Sequence, residues 1–105
     1  MGRHFFKTGQ YARIKDGIVF ILGYENNRYQ AVRIDRDEER EYFASDLTPW
    51  SPQNDDRVVE LYNEDTPTGI IIDAGENESS VVWKGLLRQA SWVNSTLEPA
   101  WYDEI

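Results

Sequence analysis

At 105 residues, 40% hydrophobic and 13% aromatic, the chain has enough apolar side chain for one compact domain or two very small ones. Nineteen acidic residues against eleven basic give a formal net charge of −8, which repels a phosphate backbone unless the cations gather on one face. Having no cysteine excludes disulfides and thiolate metal sites, one histidine (His4) leaves almost nothing for a Ser/His/Asp triad or zinc site, and no apolar run approaches bilayer thickness.

Residues 1–8 lack the apolar stretch of a signal peptide and are expected to form a tail on a cytoplasmic protein that contacts no membrane. Beyond them the apolar pattern has a period near two, the mark of half-buried strands. Strands are expected over residues 11–14, 18–24, 29–34 and 42–44, with a positive-φ turn at Asn26-Asn27. The charged run over residues 35–40 has nothing to bury and reads as a hairpin tip. Residues 51–56 are polar, contain Pro52, and read as a linker. Strands resume over residues 57–61, 69–73, 80–84 and 87–93, with turns around Asn77 and Gly85. Short helical turns are expected at Ser45-Asp46-Leu47 and at residues 94–97, where small polar side chains suit an N-cap.

The two halves echo each other. The first closes Tyr42-Phe43-Ala44-Ser45-Asp46-Leu47-Thr48-Pro49-Trp50, and the second closes Ser91-Trp92-Val93-Asn94-Ser95-Thr96-Leu97-Glu98-Pro99-Ala100-Trp101. Each runs from an aromatic-bearing strand through a polar segment to leucine, one residue, proline and then tryptophan, a repeat of equivalent units. The pattern Asp56-Arg57-Val58-Val59, Thr68-Gly69-Ile70-Ile71-Ile72-Asp73, Ser80-Val81-Val82-Trp83 and Ser91-Trp92-Val93 resembles the strands of an SH3-like barrel of the KOW or Tudor kind. Tyr11-Ala12-Arg13-Ile14, Ile18-Val19-Phe20-Ile21, the run from Tyr29 and Tyr42-Phe43-Ala44 take the same places in the first half.

That resemblance implies an all-β protein of two small SH3-like (Tudor/KOW-like) barrels in tandem, residues 9–51 and 52–105. Such units bind nucleic acid, RNA polymerase, ribosomal components or peptides, and a bacterial RNA-polymerase-associated ATPase carries a tandem of similar layout. The analogy concerns fold and does not assign function.

The side chains that carry chemistry are few. Acidic clusters at Asp35, Asp37, Glu38, Glu39 and Glu41 and at Asp73, Glu76 and Glu78 fall on expected hairpin tips without calcium-loop spacing. No enzyme activity, cofactor or metal is expected. Aromatics on a barrel rim stack on bases, enclose methylated amines or hold peptides. Tyr24, Tyr29, Tyr42 and Tyr62, with Trp83 and Trp92, are the candidate binding aromatics, while Trp50 and Trp101 read as packing residues. Arg28 and Arg33 are candidate binding cations, although the interleaved acids are expected to pair with such arginines across the hairpin. The leading reading is an acidic adaptor or regulator with a protein partner. The alternatives are a nucleic-acid-binding domain and a DNA-mimicking inhibitor of phage or mobile-element type.

Overall fold

Among the described residues, ten short strands account for nearly all the regular structure. The computed structural model describes residues 6–36, 38–61, 67–85 and 89–101. It divides into two units, Met1–Trp50 and Ser51–Ile105. The chain is all-β: two five-stranded antiparallel sheets, with no helix of seven or more residues among those described.

In the first unit β1 (Tyr11–Ile14), β2 (Gly17–Glu25), β3 (Arg28–Arg33) and β4 (Glu38–Tyr42) form a meander. A 3₁₀ turn over Ala44–Asp46 then delivers β5 (Thr48–Pro49) to the free side of β1, giving the order β4-β3-β2-β1-β5. The second unit repeats this with β6 (Arg57–Glu60), β7 (Gly69–Asp73), β8 (Glu78–Trp83), β9 (Ala90–Val93), a 3₁₀ turn over Asn94–Thr96 and β10 (Leu97–Pro99). Its order, β10-β6-β7-β8-β9, is the first read from the other edge. Both sheets are open, with no ladder between their edge strands among the described residues.

The repetition extends to single hydrogen bonds. Gly9 N–H donates to Ile21 O at 2.8 Å, and Asp55 N–H to Ile71 O at 2.8 Å. Both donors have positive φ, 90° at Gly9 and 74° at Asp55, so each unit enters its first strand through one left-handed residue. Gln10 and Asp56 each accept, through a side-chain oxygen, the backbone N–H three residues before them. A register shift interrupts β2 between Ile21 and Gly23 and β7 between Ile71 and Asp73. Leu47 and Leu97 are buried after the two 3₁₀ turns. Pro49 faces Ala12 and Pro99 faces Val58 on edge strands, where a missing donor costs least.

Three expectations need correction. Residues 38–42 form a strand, not a hairpin tip: an edge strand pairs on one side only and needs no continuous apolar face, so Glu-Glu-Arg-Glu-Tyr suffices. Phe6, placed in the tail, is buried against Tyr29 with ring centroids 5.5 Å apart. The closing tryptophans are out of register by one. Trp50 N–H donates to Tyr11 O, whereas its counterpart donating to Arg57 O is Ala100, not Trp101.

Candidate functional site

The two cores solve the same problem with different chemistry. Val19, Ile21, Ala31 and Leu47 fill the first, with Tyr29 and Phe6 closing one end. In the second unit Ile71, Val81 and Leu97 hold the places of Ile21, Ala31 and Leu47, Gly69 holds that of Val19, and Val58 holds that of Ala12. At the place of Trp83, paired with Gly69, the first unit has Arg33, paired with Val19.

Arg33 and Trp83 were both expected on a binding rim, and both are buried, 5% and 2% exposed. Arg33 is tolerated there because its guanidinium reaches two carboxylates that themselves stay exposed to solvent. Its guanidinium donates to Asp35 at 3.0 and 2.9 Å, to Asp16 Oδ1 at 3.2 Å and to the Asp16 carbonyl at 3.1 Å. Hydrogen bonding from Arg33 holds the Asp35 carboxyl below its ordinary value, and Asp35 keeps Arg33 charged against the opposing pull of burial. Trp83 instead packs edge-on to Trp92, centroids 5.3 Å apart. The indole N–H groups of both lie buried without a partner among the described residues.

Tyr29 is also a core residue, 4% exposed, its hydroxyl accepting the Phe6 N–H at 3.3 Å. Tyr42 is half-buried, and burial raises its hydroxyl above the usual value of 10.0. Tyr62 lies outside the described residues, as do His4, Asp37 and Arg88. Of the expected site residues, Tyr24 and Arg28 reach solvent. Tyr24 leans on Tyr29, while Arg28 sits 5.1 Å over the exposed Phe43 ring and pairs with Glu41 at 3.1 Å. Pairing across the β3–β4 hairpin is seen for Arg28 with Glu41, whereas Arg36 meets its neighbour Asp35 and Arg40 meets Glu38 on its own strand.

The surface holds three features of note. A cleft of about 590 Å³ in the first unit is lined by Arg13, Ile14, Lys15, Asp16, Tyr42, Ser45, Asp46 and Thr48. Its carboxylates are already engaged, Asp16 by Arg33 and Asp46 by the Phe43 N–H. A smaller cleft of about 310 Å³ in the second unit runs along Arg57, Thr68, Ile70, Val82, Trp83, Lys84 and Gly85. Next to it, the open face of the second sheet leaves Ile70, Ile72 and Val93 exposed at 41%, 46% and 46%.

Charge separates between the units. Residues 1–50 hold eight acidic and eight basic side chains, and residues 51–105 hold eleven acidic and three basic, so the whole formal charge of −8 lies in the second unit. Sequence reading assigned that charge to the chain as a whole. The Ile70-Ile71-Ile72 run was legible as strand but not as to its faces, because three identical side chains do not reveal which face is inside. Among the described residues no group of three or more His, Asp or Glu is placed to hold a metal ion. No helix among the described residues is long and apolar enough to cross a membrane. No protein-family model matches the chain, and no curated protein matches it.

Proposed function

We propose that this chain is a non-enzymatic binding module, two SH3-like units in tandem, whose acidic second unit recognises a basic protein surface. The SH3-like reading draws support from a four-strand meander, a 3₁₀ turn and a fifth strand returned to the first, found twice. The observation that carries the functional reading is the confinement of all net charge to one unit. A field of one sign steers a complementary partner and speeds encounter, while exposed apolar side chains supply the contact energy. A phosphate backbone fits poorly: Arg28, Arg33, Arg36 and Arg40 all have carboxylate partners.

The same concentration of eleven carboxylates favours one second reading, imitation of nucleic acid against a DNA-binding protein. Affinity capture from the producing cell tests both. Basic proteins retained after nuclease treatment, and released by the triple change Asp73→Lys, Glu76→Lys and Glu78→Lys, are the expected result. Release of those proteins by added duplex DNA would select the mimic. Capture that disappears with nuclease would overturn the protein-partner reading.

A further inference from the structure

The duplicated frame allows a direct comparison of outward faces. In the first unit Tyr11 and Phe20 are paired across β1 and β2, and their rings meet edge-on at 5.1 Å, closing that part of the sheet with aromatic surface. The second unit has Arg57 opposite Ile70 in the same positions, followed by Ile72 at the register shift. Ile70 and Ile72 are exposed on β7, the central strand, and Val93 is exposed on β9 opposite Glu78. The first unit also exposes apolar side chains at the places of Ile72 and Val93, Leu22 at 39% and Phe43 at 52%, so an apolar outer face belongs to both units and the net charge is what sets the second apart.

The rim of this patch is graded. Asp73, Glu76 and Glu78 are exposed at one end, and Ser91 donates to Glu78 at 3.2 Å. Arg57 and Lys84 stand at the other end, beside Ile70. The backbone of β7 is already paired with β6 and β8, so a visitor gains no ladder bonds there and must bring its own backbone satisfied. From Ile70 to Ile72 is about 7 Å along the strand, and β7 to β9 is about 10 Å across, close to the width of one helix.

We infer that the open face of the second sheet, centred on Ile70, Ile72 and Val93, docks a cationic amphipathic helix of a partner protein. Apolar side chains of the helix cover the three aliphatic residues, and its Lys/Arg flank lies over Asp73, Glu76 and Glu78. Charge complementarity selects this occupant: the unit carries the full −8, so a basic segment is attracted and an acidic one repelled. This inference rests on the proposed function and adds the place and the form of the partner.

The test uses the full chain and two synthetic probes of equal length: a helix with leucine on one face and lysine on the other, and oligolysine. Affinities come from fluorescence anisotropy, and amide chemical shifts locate the contact. The helix is expected to shift amides of residues 70–73, 78–82 and 90–93. Ile72→Asp is expected to weaken the helix about tenfold, because a half-exposed isoleucine no longer buries its remaining surface. The same change leaves oligolysine unweakened, since it adds a carboxylate. The two probes therefore separate docking from bulk attraction. Ile70→Asp gives a second reading at an independent exposed position, with the unfolding midpoint confirming the fold of both variants. Equal responses of both probes to Ile72→Asp would overturn the docking face and leave the basic-partner reading intact, whereas shifts confined to residues 6–50 would overturn both. Failure of both probes to bind at low salt would overturn both readings. Self-association abolished by Ile72→Asp, without helix binding, would give the face to a second copy of the chain and overturn the inference.

Discussion

Asn94 is the side chain on which the second unit's turn geometry depends, and its removal has a calculable effect. Its amide accepts from the buried Ser79 hydroxyl at 2.6 Å and donates to the carbonyls of Gly75 at 2.9 Å and Glu76 at 3.1 Å. It thereby ties the β7–β8 turn to the 3₁₀ turn, beside the backbone bond from Asn94 N–H to Asn77 O. Three hydrogen bonds contribute about 1 kcal/mol each, and a buried hydroxyl left without its acceptor costs about 1 kcal/mol more. Water reaches the exposed turn carbonyls and recovers part of this, so Asn94→Ala is expected to destabilise the unit by about 2–4 kcal/mol. That is a large share of the stability of so small a unit. Ser79→Ala removes both the Ser79–Asn94 bond and the orphan, so Asn94→Ala should cost about 2 kcal/mol less in that background. Urea unfolding followed by tryptophan fluorescence supplies the free energies, and amide exchange at residues 78–80 and 90–93 localises the loss. A single-mutant cost below about 0.5 kcal/mol, or strict additivity of the two changes, would show that the network contributes nothing beyond its surface.

Two further outcomes follow from the same kind of arithmetic. A Cβ on Gly69 would lie 2.6 Å from Val81 Cγ1 and 2.7 Å from Trp83 Cε3, both in a close-packed core, whereas one on Gly23 meets nothing within 4 Å. Gly69→Ala should therefore lose about 1–3 kcal/mol and Gly23→Ala should gain about 0.5 kcal/mol, with opposite shifts of the thermal midpoint; shifts of the same sign would contradict the packing. Asp35 is held by Arg33 below its ordinary pKa of 3.8, so its contribution is complete above that value and is lost as pH falls through the lower folded-state pKa. Calorimetry across the acid range should show a steeper decline in wild type than in Arg33→Met; parallel acid limbs would mean that the ion pair is not felt.

How much of this was legible depends on what each residue reports. The strand over residues 69–73 could be read outright, because an isoleucine run between Gly69 and Asp73 has no other use in so short a segment. The strand over residues 38–42 could not, since edge strands are recognised by their backbone and their side chains carry almost no apolar signal. The 3₁₀ turns were visible in composition and the extra Ala100 in the closing segment, but hydrogen-bond register is what puts Ala100 in the place of Trp50. Arg33 reads as surface because burying a guanidinium is expensive. Its partner Asp16 is 17 residues away, so the compensation is a property of the sheet and not of the local sequence. Tyr29 and Trp83 failed as rim residues for a related reason: an aromatic in a period-two strand is equally consistent with either face until the register is known.

The internal comparison also indicates where function has room to reside. Ile21 and Ile71, Leu47 and Leu97, and Pro49 and Pro99 hold the same places in both units, so these positions answer to the frame. Arg33 against Trp83, Tyr42 against Trp92 and Tyr11 against Arg57 are changes that the frame tolerates in either direction. The first two exchange a buried guanidinium with its exposed carboxylate partners for an indole pair. The third is outward, and it coincides with the exposed Ile70 and Ile72 and with the unit that bears all the net charge. Frame-neutral differences that reach the surface are the ones a partner can read. A partner that distinguishes the two units therefore contacts the second, and substitutions on the open face of its sheet should change binding while leaving the unfolding of the first unit where it was.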